Sequence, residues 1–286
     1  MRHLTSHLLV TFSAIAAAAV VQPCVAAEAL VDSSFYDDFE NSPQALFRIG
    51  QLQLRDPHVF VSIDVGPISF CGDATDTAEV GLNAQIAASL AADADTNGRY
   101  DTSPLLVFAP WRADGKRSRV SLGEGDCSVA APLQCTPAAT SGSPRYYQAF
   151  TPGGGDHCIE AIPGTTSAWS GGIPLPQPGG QCYATTLGDV VLSTGTVDIP
   201  LFDTKLGAPL PAATGSTGGG LMRGFLRASD AAAITVPVDG TPRTLASLLP
   251  GGAGSCQANV TGGIDTWNGE SGWWFYFEYR QDAATP

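Results

Sequence analysis

Histidine is scarce in this chain: His3, His7, His58 and His157 are the four among 286 residues. That narrows the chemistry, because serine or cysteine nucleophiles need a base and zinc sites lean on imidazole. The sequence also lacks a CxxC pair, a GxSxG elbow and a GxxxxGK[ST] phosphate loop; Gly269-Glu270-Ser271-Gly272 has the wrong spacing for the elbow. These absences argue against a redox dithiol, a zinc ribbon, an α/β-hydrolase and a P-loop enzyme. Positive charge is thin too, with 14 Lys and Arg against 27 Asp and Glu and a formal charge of −13. A field of that sign repels phosphate backbones and anionic lipid while drawing divalent cations, so nucleic acid and membrane surfaces are poor partners. Past Val21 no stretch approaches the roughly eighteen apolar residues of a membrane-spanning helix.

What is present begins with an export pattern. Arg2, His3 and His7 precede an apolar run from Leu8 to Val21, and Val25-Ala26-Ala27 offers small residues for cleavage. Residues 1–27 therefore read as a signal peptide, which predicts a secreted, extracellular or periplasmic protein. Removing it takes Cys24 from a total of seven cysteines and leaves Cys71, Cys127, Cys135, Cys158, Cys182 and Cys256. An even number in an exported chain predicts disulfides. Proximity favours Cys127–Cys135 and Cys158–Cys182, which leaves Cys71–Cys256 to tie the ends. Asn259-Val260-Thr261 is a glycosylation sequon wherever the source glycosylates exported proteins.

Residues 28–42 read as a flexible acidic arm and 43–286 as a single β-rich domain, with two lobes meeting near 130–180 as a variant. Val59, Val61, Ile63 and Val65 alternate with Phe60, Ser62 and Asp64, the period of a two-faced strand. Leu105–Phe108, Val190–Leu192, Val197–Leu201 and Trp273–Arg280 read likewise, and Pro200 marks an edge or a bulge. Leu82, Ile86 and Leu90 form one helical stripe. A second short helix is expected at Asp230–Ala233 or Leu245–Leu249. The Gly218–Leu226 segment reads as a turn leading into a strand or short helix. The expected fold is mainly β and sandwich-like, with one or two short helices and three disulfides; the alternative is a two-lobed α+β fold.

The sharpest chemical signal is Asp93-Ala94-Asp95-Thr96-Asn97-Gly98-Arg99-Tyr100-Asp101. Asp93, Asp95, Asn97 and Asp101 place oxygens at the spacing of a calcium loop, Gly98 permits the sharp turn, and Arg99 holds the place of a backbone carbonyl ligand. Over these nine residues the chain resembles EF-hand or dockerin-type loops, which implies a bound Ca²⁺ in a structural role. The loop departs from that pattern at Pro104, where a bidentate glutamate belongs. Asp73, Asp76, Glu79, Glu124 and Asp126 are candidates for the missing carboxylate.

Two further expectations concern function. His157, after Gly153-Gly154-Gly155, is the candidate base of an exported hydrolase, with an acidic pair as the other catalytic option. Trp274 and Tyr276 alternate with Trp273, Phe275, Phe277 and Tyr279; the run reads as a closing core strand whose second face is half covered, or else as an exposed Trp274/Tyr276 platform on which a sugar ring or another surface protein could stack. The leading expectation is a secreted or cell-surface protein, binding or structural and not an enzyme, ordered by calcium. A binding module with an apolar pocket is a further option.

Overall fold

The computed structural model describes residues 44–78, 81–110, 118–138, 144–151, 158–159, 162, 181–193, 197–210, 217–238, 241–260 and 263–286. The signal segment 1–27, the arm 28–42, Glu79, His157 and much of the Pro/Gly-rich stretch lie outside these residues.

Fourteen strands are described. The first seven are β1 (Ala45–Asp56), β2 (Phe60–Val65), β3 (Ile68–Asp73), β4 (Pro104–Phe108), β5 (Ser118–Cys127), β6 (Cys135–Pro137) and β7 (Arg145–Tyr147). The rest are β8 (Cys182–Ser193), β9 (Asp198–Pro209), β10 (Thr217–Arg227), β11 (Thr235–Val238), β12 (Thr241–Thr244), β13 (Asp265–Trp267) and β14 (Glu270–Ala284). The main sheet runs β6-β5-β4-β1-β14-β10-β9-β8, with β7 also on β5 and β13 on β14; β2–β3 and β11–β12 are separate two-stranded sheets. Strands from both sides of the 130–180 stretch thus share one antiparallel sheet.

That sheet curls until its ends meet. Phe150, just past β7, exchanges two backbone hydrogen bonds of 2.9 and 2.7 Å with Cys182 at the start of β8. The Thr185 hydroxyl donates to the Tyr146 carbonyl across the same seam at 3.0 Å. Inside, the rings of Phe108, Tyr147 and Tyr183 stand 5.2–5.6 Å apart, joining β4, β7 and β8 in the edge-on and tilted arrangements aromatic quadrupoles favour. The Tyr183 and Tyr279 hydroxyls pair at 3.0 Å, satisfying two polar groups that burial would otherwise strand. The protein is therefore mainly β, disulfide-stabilised and furnished with two short helices, as the sequence predicts, and its layers come from one curled sheet.

β14 is the spine between β1 and β10. Trp273, Phe275, Phe277 and Tyr279 face the main core, as the alternation requires. The neighbouring β10 is where the glycine-rich segment ends up, as an eleven-residue strand. A Cβ at Gly220 would lie 2.1 Å from the Tyr279 ring, so the glycine makes room for an aromatic side chain on the next strand. Pro200 pairs with Val191 of β8, but β10 meets β9 only between Phe202 and Gly207, so the proline sits where its other side has no strand partner.

Helix α1 (Leu82–Leu90) buries Ile86 and Leu90, and α2 is Ala228–Ala233; a 3₁₀ turn spans Leu245–Leu248. α1 is tied to β1 by Asn83, whose amide accepts from the Leu54 N–H at 2.7 Å and donates to the Leu54 carbonyl at 2.9 Å, mimicking a strand partner. Cys71–Cys256, Cys127–Cys135 and Cys158–Cys182 are the three disulfides, with Cα–Cα distances of 5.6, 4.1 and 5.4 Å. Cys71–Cys256 fastens the β2–β3 hairpin, which belongs to no larger sheet, to the loop before β13. Among the described residues no helix is long and apolar enough to cross a membrane. Both features are compatible with an extracellular or periplasmic location.

Candidate functional site

The nine-residue loop follows directly from α1. Thr96 and Gly98 turn the backbone through left-handed conformations (φ 56° and 80°), which folds the acidic side chains back on themselves. Asp93, Asp95 and Asp101 bring carboxylate oxygens within 4.8 Å of one another. Oxygens about 2.4 Å from a calcium ion lie at most about 4.8 Å apart, so the three fit one coordination sphere. The loop backbone holds them there. Asp93 accepts from the N–H groups of Asn97 and Gly98, each at 3.0 Å, and Asp101 accepts from Ala94 N–H, also at 3.0 Å.

Two anchors fix the loop to the sheet. Tyr100 N–H donates to the Cys127 carbonyl and Val129 N–H to the Gly98 carbonyl, beside the Cys127–Cys135 disulfide. Buried Arg48 of β1 lies under the other side. It donates to the carbonyls of Leu90 and Thr102 and to the Ser103 hydroxyl, with its guanidinium carbon 3.6 Å from the Tyr100 ring centroid. Burial lowers the Arg48 pKa, against the raising influence of Tyr100, Asp282 and Glu124. One arginine thus clamps the last turn of α1 and the exit of the loop.

Among the described residues, no fourth carboxylate joins the three. Asp76 accepts from Asn83, Glu124 accepts from the Ser103 N–H, and Asp73 pairs with His58, so each is held elsewhere. Asp126 pairs with the Arg99 guanidinium at 3.0 Å. The Asn97 amide oxygen accepts from Arg99 N–H at 2.8 Å and its amide nitrogen donates to Asp95 at 2.8 Å.

A second feature has no local sequence signal. An apolar pocket of about 500 Å³ opens between the β2–β3 hairpin, α1, the start of β9, β11 and the 3₁₀ turn. Val61, Ile63, Ile86, Ile199, Val238 and Phe275 are among its walls. The hairpin's face toward it continues outward, since Ile63 and Phe70 are cross-strand partners exposed by 48 % and 53 %. At the rim, His58 Nδ1 meets Asp73 Oδ2 at 2.5 Å. A carboxylate only accepts, so Nδ1 carries the hydrogen and, in neutral imidazole, Nε2 is the basic nitrogen. Burial acts to raise the Asp73 carboxyl, but hydrogen bonds from His58 and from the Thr75 backbone and side chain outweigh it and hold it below the usual range.

The stacking platform is corrected. Trp274 and Tyr276 are 4 % and 0 % exposed, buried with Leu221 and Phe225 in a second cluster on the outer face of β14. Ile159, Ile162, Phe202 and Trp267 pack over them, and the Ile162 N–H donates to the Tyr276 hydroxyl at 3.0 Å. Strand alternation separates two faces but does not say that a second layer covers the outer one. His157 lies outside the described residues; among the described residues, His58 is the histidine beside a pocket.

Comparison with family models, with curated proteins and with solved structures finds no match.

Proposed function

We propose that this chain is an exported, non-enzymatic binding protein, secreted or held at a cell surface, that takes a small apolar ligand beside the β2–β3 hairpin and uses the 93–101 loop as a structural calcium site. The observation that carries the reading is the pocket itself. It is a cleft of about 500 Å³ open to solvent with mostly apolar walls, and an apolar ligand seated there would take that surface out of water. Ligand pockets occupy about 300–1,000 Å³ and combine apolar walls with a few polar groups, here Asp73, Thr77 and Gln85. Calcium would bind through Asp93, Asp95 and Asp101, with Asn97 and the Arg99 carbonyl, and would hold the exit of α1, one wall of the pocket, against β5. The acidic charge of the chain supports a cation over an anion there.

The test is titration with N-phenyl-1-naphthylamine, a neutral lipophilic dye. Saturable fluorescence enhancement is expected, and Val61→Trp, which fills the pocket from the hairpin, should abolish it while leaving the far-UV spectrum intact. Enhancement that Val61→Trp leaves unchanged removes the pocket from the reading.

The His58–Asp73 pair favours a second reading, an exported hydrolase in which Asp73 orients His58 and Nε2 serves as general base toward water or a bound hydroxyl. Here His58 takes the part first given to His157. Release of p-nitrophenol from an acyl ester, lost in His58→Ala and kept in His157→Ala, is the outcome that supports it.

A further inference from the structure

Outside the curled sheet lies a cleft whose described charged residues are all basic, in a chain that is acidic. In a protein with 27 acidic and 14 basic residues, Arg145, Lys205 and Arg223 line one open cavity of about 750 Å³, and among the described residues no carboxylate lines it. Strand register sets two of these cations face to face. Lys205 of β9 is directly opposite Arg223 of β10, and Thr186 of β8 is opposite Lys205 on its other side. Like charges at opposed positions on one face repel, so this arrangement costs stability unless something else compensates. Burial lowers the Arg223 pKa, offset in part by Tyr276 and Asp203, which marks a cation already stripped of some water. Arg145 enters from β7 with its Nε donating to the Leu187 carbonyl at 3.1 Å, a bond that orients the guanidinium.

The remaining walls are mixed, with Ile159, Ile162 and Ala184 beside Tyr146, Thr185 and Thr186. Ile159 lies so close over Gly207, the next residue on the outer face of β9, that a Cβ there would meet its methyl at 1.9 Å. Tyr146, 53 % exposed, presents a ring at the opposite side. Paired guanidinium groups and an ammonium recognise planar or tetrahedral oxyanions through charge-assisted hydrogen bonds. The isoleucine and tyrosine walls suit a ring or short apolar body attached to that group.

We propose that the Arg145–Lys205–Arg223 cleft binds a small organic oxyanion, with a carboxylate, sulfate ester or phosphate ester carried on an apolar body. The site is on the outer side of β8–β10, whereas the dye pocket includes Phe275 of the inner core, so the two stand or fall separately. The experiment is calorimetric titration of the full oxidised protein with inorganic phosphate, phenyl phosphate, phenyl sulfate and benzoate. The phenyl compounds should bind more tightly than inorganic phosphate, and their order identifies the oxyanion. Lys205→Met and Arg223→Met should each weaken binding roughly tenfold, the loss of one charge-assisted hydrogen bond. Affinity should also fall as salt rises from about 0.01 M to about 0.15 M and the Debye length shortens. If Arg223→Met does not fold, Lys205→Met carries the test. Absence of heat with all four probes at millimolar concentration, or affinity unchanged in the folded variants, overturns the proposal.

Discussion

Arg48 shows how one buried charge can organise a local region. It is 4 % exposed and has hydrogen-bond acceptors on the last turn of α1, on Thr102 and on Ser103. Arg48→Met would keep most of the packing and leave those carbonyls without their donor, so unfolding in urea should show a loss of about 2–4 kcal/mol. An effect under about half a kcal/mol would mean water replaces the guanidinium freely. The His58–Asp73 pair makes a prediction about acid. Asp73 titrates below its unfolded value, so its contribution is complete above the unfolded carboxylate range and disappears as pH falls through the lowered folded value. His58→Ala should therefore flatten the stability profile below about pH 4 and leave other acid-dependent losses in place. The effect is small, because the two side chains are 41 % and 43 % exposed. A parallel profile for wild type and variant would refute the coupling. Neither Arg48 nor His58 stands out in the sequence, since the Arg48 partners lie more than forty residues away and the His58 partner fifteen residues away, across the β2–β3 hairpin.

At the scale of elements, the β2–β3 hairpin depends most on a covalent tie. It pairs only with itself, and Cys71–Cys256 closes a span of 185 residues between it and the loop before β13. Chain-entropy arguments put the loss on removing such a closure at about 5 kcal/mol. The Cys71→Ser/Cys256→Ser double variant should lose dye binding at temperatures where the near-UV signal of the Phe108, Tyr147 and Tyr183 cluster persists. Simultaneous loss of both signals would show that the hairpin and sheet melt as one unit. The strands themselves were unevenly legible. Trp273–Arg280 announces itself through alternating aromatics, and it is the spine of the sheet. β10, its neighbour, hides behind its glycines, because the apolar bulk at Gly220 and Gly224 comes from Tyr279 and Leu201 on adjacent strands.

For the whole molecule, the calcium proposal is tested by thermal unfolding in EDTA and across a calcium titration. At tenfold excess over the dissociation constant the ion should add about 1.4 kcal/mol, seen as a rise of a few degrees in Tm, and Asp95→Ala should abolish it. A calcium-independent Tm would reduce the loop to an Asx-rich turn. Net charge acts at the same scale: with −13 on the chain, monovalent salt should raise Tm even in Asp95→Ala by screening self-repulsion, so the titration is run at constant ionic strength.

Short-range physics made the local elements legible from residue order alone. Period-two alternation specified strands, the Leu82–Ile86–Leu90 stripe specified α1, and the carboxylate spacing around Gly98 specified a loop that folds on itself. The disulfide pairing was legible too, because two pairs are close in the chain and the third follows by elimination. The folded protein adds what strand order and curl bring together. It buried Trp274 and Tyr276 under a second layer, set His58 beside Asp73 at the mouth of an apolar pocket, and gathered Arg145, Lys205 and Arg223 from three strands into one cleft. Such juxtapositions depend on pairing between residues far apart in the chain, and no local pattern encodes which strand will be whose neighbour.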